Sequence, residues 1–248
     1  MSPGWSHGAA PDARARFPDK TLMGTSAKAD WFIPAGLVTL GVIPVAAGIV
    51  RLVQIAGGAA ITPDNARFLA APWPVVLHIA CAIVYCLLGA FQFAPGLRRR
   101  KPGWHRMAGR VLVPCGLVVA LSGLWMTQFY PPASFDGPVL YGIRLVVGSA
   151  MAVFLCLGFA AVRRRDIPDH RAWMVRAYAL GLGAGTQVFT HLPGVLFPTL
   201  QGELARAVFM AAGWAINSLL AEYLIARWRG QTRTQAVRHG HDTDKPHS

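Results

Sequence analysis

Six blocks of about twenty mostly apolar residues decide what this chain can fold into. They cover roughly residues 31–53, 74–93, 107–129, 139–162, 171–190 and 204–226. Each has the length an α-helix needs to cross a hydrocarbon core ~30 Å thick. In lipid every backbone N–H and C=O must find its partner inside the segment, and a helix does that. Composition agrees: 54% of the 248 residues are hydrophobic and only 14% are charged, against about 25% charged in a soluble domain. The expectation is an all-α polytopic membrane protein with six transmembrane helices. Residues 1–30 carry basic residues but neither an apolar core nor a cleavage pattern, and read as a cytoplasmic N-terminal extension. Residues 31–228 form the transmembrane domain. Residues 229–248, ending RHGHDTDKPHS, read as a disordered cytoplasmic tail.

The net charge of +13 would suit a nucleic-acid partner, but its distribution argues for topology instead. With the N-terminus inside, four Lys or Arg precede the first block, six lie between the second and third or at the inner start of the third, five between the fourth and fifth or at the inner start of the fifth, and five after the sixth. Only Arg51, Arg67, Arg144 and Arg206 fall on the other side. The positive-inside rule then places both termini in the cytoplasm, N-in and C-in. The expected partner is a bilayer with anionic headgroups, which basic loops attract; no nucleic acid is expected.

Two of the basic loops are written almost alike. RRRKPGWHR at 98–106 and RRRDIPDHR at 163–171 place His105 and His170 seven residues after the first arginine, 65 residues apart. This spacing predicts two repeated helical hairpins in the core, formed by blocks two and three and by blocks four and five. The blocks also carry stripes of small or polar residues at helical spacing: Gly109, Gly116 and Gly123; Gly142, Ser149 and Cys156; Ala177, Gly181 and Gly185; His78, Tyr85 and Gln92. Such stripes serve close helix packing or leave room for a flat ligand. The four cysteines Cys81, Cys86, Cys115 and Cys156 lie inside blocks without a C-x-x-C pair, and read as packing residues.

Ionisable side chains within a span are costly and mark candidate sites. His78 and His191 lie near the outer ends of their blocks, His105 and His170 at the inner ends. His170 and His191, 21 residues apart, are separated by about 31 Å along one helix and mark opposite sides of the membrane. One reading makes His78 with His191, and His105 with His170, metal ligands of b-type haem, the iron being clamped by neutral imidazoles. Arg106, Arg110, Arg171 and Arg176 would then pair with haem propionates. The competing reading is a non-redox carrier or accessory membrane protein, with His78 and Glu222 on a polar path or the basic loops binding headgroups or a partner. Structural roles stand beside both: Asp169 is a plausible N-cap beside His170, Arg144 has Asp136 or Glu203 for a partner, and Glu222 has Arg110 or Arg176. Trp31, Trp73, Trp104 and Trp228 at block ends read as interfacial anchors.

The stretches LHIACAIVYCLLGAFQFAPGLRRRKPGWHRMAGRV and RRRDIPDHRAWMVRAYAL resemble a bacterial family of predicted membrane proteins, domain-of-unknown-function family 2306. The resemblance covers roughly residues 75–191. It rests on His78, the Gln92-Phe93 end of block two, the box from His105 to Arg110 and the box from His170 to Arg176. It implies a multi-pass protein of a bacterial inner membrane and no established activity. No P-loop, G-x-S-x-G or H-E-x-x-H motif of a soluble enzyme is present, and no enzyme activity is assigned.

Overall fold

The structure, a computed structural model, describes the backbone of residues 29–243 and the side chains of residues 31–231. Its elements in chain order are α1 (Ala29–Ala56), α2 (Ala66–Ala70), α3 (Pro72–Ala90), α4 (Pro95–Arg100), α5 (Pro102–Phe129), α6 (Pro138–Arg163), α7 (Ile167–Gly181), α8 (Gly183–Thr190), α9 (Leu192–Leu196) and α10 (Glu203–Thr243), with 3-10 turns at Phe91–Phe93 and Pro198–Leu200. No strand occurs among the described residues. Proline sits in the first turn of α3, α4, α5, α6 and α7. There it sacrifices no helical hydrogen bond and presets φ.

Five helices, over Trp31–Ala56, Pro72–Phe93, Pro102–Phe129, Pro138–Arg163 and Glu203–Gln231, are long and apolar enough to cross a membrane. Their outward faces expose Phe32, Val53, Val146 and Leu219 among many large apolar side chains. A water-soluble monomer rarely presents a continuous surface of that kind. Here it is the surface lipid would cover.

The fifth apolar block departs from the expected single helix over 171–190. It is divided at Leu182 into α7, with 15 residues, and α8, with 8. Gly181 and Gly183 flank the break and weaken the helix locally. A break inside an apolar layer requires substitute partners for the freed backbone groups. Asn217 of α10 supplies one: its Nδ2 donates to the Ala179 carbonyl at 3.1 Å, while its Oδ1 accepts from Thr186 Oγ1 at 2.7 Å. One amide thus holds both pieces.

Two boundaries also differ. The backbone of residues 229–243, expected as disordered tail, continues α10 without interruption. No proline stops it before Pro246. Residues 244–248, and most of the expected N-terminal extension, lie outside the described residues. The N-cap of α7 is Asp166, which accepts from the Asp169 backbone N–H, and not Asp169 itself. The reason is the preceding turn: Arg165 has φ of 62°, and the Asp166 N–H reaches back to the Ala161 carbonyl in a Schellman-type ending.

The helices close into a ring. α3 packs on α1 and α5, α6 on α5 and α7, α10 on α6, α7 and α8, and α8 returns to α1. At the centre lie Tyr85 and Tyr178, 4% and 6% exposed, beside Leu155 and Met151. Their rings occupy the notches left by glycine. A Cβ on Gly116 would approach the Tyr85 ring at 2.7 Å, and one on Gly89 the Tyr178 ring at 2.5 Å. Gly181 meets Tyr85 and Met151. The stripes Gly109–Gly116–Gly123 and Ala177–Gly181–Gly185 therefore have tyrosine in the middle of the bundle, where a flat ligand was one expectation. Between helices in lipid, where apolar burial gains little, this interlocking supplies the cohesion.

Candidate functional site

At the end of the bundle that carries the 130–137 loop, the helices part around a cavity of about 650 Å³. The loop is built around Asp136, whose carboxylate accepts from the Ala133 backbone N–H at 3.3 Å and whose neighbour Phe135 turns with φ of 63°. Arg144 of α6 binds the same carboxylate through two nitrogens, at 2.8 and 3.2 Å. Arg206 of α10 adds a third bond at 2.7 Å. Burial pushes the Asp136 pKa up, but the hydrogen bonds and charges of Arg144 and Arg206 outweigh it and hold the pKa below the ordinary value. One carboxylate thus pins two helices to the loop. Of the two partners expected for Arg144, Asp136 takes the role, while Glu203 packs against Gly137.

Arg67 of α2 stands on the rim with its charge less well matched. Its Nη1 donates to the Pro131 carbonyl at 3.2 Å, and its buried Nε has no partner. Burial lowers its pKa; Asp136 opposes this, and Arg144, Arg206 and Arg51 add to it. The guanidinium remains charged, so the rim keeps an unspent donor and an excess of positive charge. Below the rim, the wall passes His78 and Gly123 and reaches Met151, Leu180 and Trp214. Pro138 and Met151 of α6 both line the cavity, and thirteen residues of helix span about 20 Å. The cavity therefore descends from a cationic mouth to an apolar floor over about 20 Å.

The four expected histidines separate. His78 lines the cavity; its Nδ1 lies 3.0 Å from Ser122 Oγ, whose own proton goes to the Val118 carbonyl at 2.5 Å. His191 ends α8, its Nδ1 2.8 Å from the Gln187 carbonyl and its ring edge-on to Phe209. It is not on the cavity wall, so the outer pair does not share that space. His170 has its Nδ1 2.8 Å from the Gly158 carbonyl. Carbonyls only accept, so in His170 and His191 the proton sits on Nδ1, and Ser122 assigns His78 the same way. Nε2 is then the lone-pair nitrogen in all three. His105 has a buried Nδ1 without a partner and is close enough to His170 for their charges to interact. Among the described residues no group of three or more His, Cys, Asp or Glu converges as a metal site.

Two of the four expected propionate arginines have protein partners. Arg176 grips Glu222 through Nε and Nη2 at 2.5 and 2.8 Å, and Arg171 lies 3.6 Å over the Trp228 ring. Arg106 and Arg110 are exposed in the first turns of α5 and form no ion pair among the described residues. Beside the Arg176–Glu222 pair a groove of about 300 Å³ opens between α6, α7 and α10, and Val147, Leu180 and Trp214 line both it and the larger cavity.

Sequence reasoning reached His78, Arg144 and Glu222 as polar intruders. It missed Gln187 and Asn217, whose signal was equally plain: an amide inside an apolar block. It also missed Arg67, which nothing local distinguishes from a loop arginine.

Comparison with known proteins agrees with the membrane architecture. The sequence model of a family described as predicted membrane protein, DUF2306, matches residues 75–225. No curated protein and no solved structure matches the chain.

Proposed function

Since the chain belongs to this family of predicted membrane proteins, DUF2306, we propose that it is a multi-pass inner-membrane protein that binds a small amphipathic organic anion from the outer side, as a carrier or receptor. In this reading α7 and α8 together make a sixth crossing, both termini are cytoplasmic, and α3–α5 and α6–α7 are two hairpins of common origin. The location of the basic residues supports the orientation. Parity tests it: reporters fused at the two ends respond from the same side for six crossings and from opposite sides for five.

The observation that carries the function is the cavity running from Arg67 and Arg144 down past His78 to Met151 and Trp214. The positive charge of Arg67, which forms no ion pair among the described residues, suits a carboxylate-like head at the mouth. The apolar floor suits a hydrocarbon body, in the usual pattern of a ligand pocket with few polar groups. The test uses a variant with the four native cysteines replaced. A charged, membrane-impermeant thiol reagent added outside should label Ala184→Cys on the wall and not Val153→Cys on the exposed apolar face of α6. Octanoate should slow the labelling of Ala184→Cys, and Arg67→Gln should remove that protection. No labelling at Ala184→Cys would end the reading.

A second reading, b-type haem on His105 with His170 or on His78 with His191, draws support from the tautomers. A ligating histidine commonly donates its other N–H to a carbonyl or similar group and offers the remaining nitrogen. Its support is narrower, because tyrosines fill the central glycine notches and His191 lies off the cavity wall. A Soret band at stoichiometric intensity in protein purified from haem-replete cells is its signature, and absence of the band refutes it.

A further inference from the structure

The large cavity and the smaller groove lie on one seam between α6, α7 and α10. Val147 of α6, Leu180 of α7 and Trp214 of α10 line both spaces, so these three side chains stand between them. On α10 the lining runs through Met210, Trp214, Ser218 and Glu222 in steps of four, which keeps it on one helix face. Opposite, on α6, it runs from Arg144 through Val147 to Phe154. From Pro138 at the mouth to Phe154 at the foot is sixteen residues of α6, a length of about 24 Å.

Both ends of the seam carry guanidinium groups, and its middle is apolar. Arg67 and Arg144 stand at the mouth, and Arg176 stands at the foot. The Arg176 side chain is lodged, 19% exposed, whereas its partner Glu222 is 53% exposed. A carboxylate that open to its surroundings can swing aside, and the guanidinium then accepts another anionic partner in the same bidentate fashion.

The partition between the two spaces coincides with the break in the fifth apolar block. Leu180 lies two residues before Leu182, in the last turn of α7. The Trp214 ring fills the notch left by Gly183, the first residue of α8; a Cβ there would run into it. Hinges are a few residues at element ends that absorb changes in φ and ψ, and glycine on either side of Leu182 eases such a change. Rotation of α8 about Leu182 would shift the surface on which Trp214 rests. Ligand paths of membrane carriers commonly run beside a discontinuous helix of this kind.

We propose that the protein translocates the anion: it passes from the cavity beyond Trp214 into the groove and leaves beside Arg176, which makes the chain a carrier and not a receptor. This rests on the cavity reading above. In the orientation given there, the foot of the seam faces the cytoplasmic half of the membrane.

The test uses the full chain in liposomes loaded with NBD-taurine, a fluorescent sulfonate with an apolar ring and a permanent charge. Dithionite outside destroys the fluorescence of whatever escapes, and valinomycin with equal potassium on both sides cancels the membrane potential. Wild-type protein should speed escape several-fold over protein-free liposomes. In the variant with the native cysteines replaced, Ser218→Cys should react with N-ethylmaleimide after reconstitution, as mass measurement records, and the plug should cut the rate by more than half. The same treatment of Val153→Cys, on the exposed apolar face of α6, should leave the rate unchanged. Escape no faster than from protein-free liposomes overturns the inference. If NBD-taurine still protects Ala184→Cys from the charged thiol reagent, the cavity reading survives that result; if it does not, both fall. A Ser218→Cys thiol that does not react, or a rate that modification leaves unaltered, overturns the route through the groove. Should Ser218→Cys itself be inactive, Ala215→Cys on the rim of the groove takes its place in the same comparison.

Discussion

The Tyr178 hydroxyl of α7 donates to the Cys86 carbonyl of α3 at 2.8 Å, joining two helices that are 92 residues apart in sequence. Its ring fills the notch above Gly89 and stacks near Phe93, with centroids 4.9 Å apart. Tyr178→Phe removes the bond and keeps the ring, so it should lower stability by about 1 kcal/mol. Gly89→Ala drives a Cβ into the ring and should cost more, roughly 1–3 kcal/mol. Reversible unfolding in mixed micelles measures both. Equal melting of wild type and Gly89→Ala would contradict the packing described.

Glycines on these helices differ sharply in what surrounds them. A Cβ on Gly185 would meet the Leu40 backbone oxygen at 2.5 Å, whereas one on Gly109 meets nothing within 4 Å. Backbone cannot rotate aside, so Gly185→Ala should push α8 off α1 and cost roughly 2 kcal/mol or more. Gly109→Ala should be neutral or stabilising by a few tenths of a kcal/mol through helix propensity. The pair of melting curves is the check; a stable Gly185→Ala protein would refute the close approach of α1 and α8.

Asp136 carries a pH dependence with a definite sign. Its folded pKa lies below the ordinary carboxylate value, so the stabilisation it provides is complete above the unfolded value. It is lost as pH falls through the folded one, from about pH 4 downward. Asp136→Asn should be less stable at neutral pH by roughly 1–2 kcal/mol, a buried-pair loss reduced by the solvent access of Arg144 and Arg206. Its stability should also fall less steeply between pH 5 and 3 than that of the wild type, as unfolding at a series of pH values would record. Parallel pH profiles would exclude the assignment.

Asn217 secures both sides of the Leu182 break, so Asn217→Ala should cost roughly 1–2 kcal/mol, two membrane hydrogen bonds of modest worth. Hydrogen exchange should quicken at residues 179–187 ahead of the rest of the bundle. Unchanged protection there would mean that the break is held by other contacts.

How far the sequence could be read depends on whether a feature is local. The apolar blocks are local sums of side-chain hydropathy, and five of the six start their helix within a few residues, while the fifth is broken at Leu182 and α10 runs on past its block. The Arg144–Asp136 bond is nearly so, eight residues apart across a short loop. Arg206 reaches the same carboxylate over 70 residues, and only the placement of α10 brings it there. The glycine stripes were visible, but not what fills them: Tyr85 lies on one stripe and Gly116 on another, and their fit is a property of the assembled helices. The cavity is harder still, since its lining comes from α2, α3, α5, α6, α7, α8 and α10 and exists only where the assembled helices part. His78 was legible as a polar intruder; the space it faces was not.

The break at Leu182 bears on how the protein enters a membrane. A translocating machinery that judges segments one at a time meets in α7 a short helix carrying Asp169, His170, Arg171 and Arg176. Each charge near the middle of a lone segment weighs against partition into lipid by about 2.5–3.5 kcal/mol. What makes α7 tolerable arrives from its neighbours: α6 behind it, then Glu222, Trp228 and Asn217 on α10. In the six-crossing arrangement proposed above, this crossing is completed only when the chain after it has been made, and a polypeptide ending at residue 190 would lack the α10 partners that accommodate these charges.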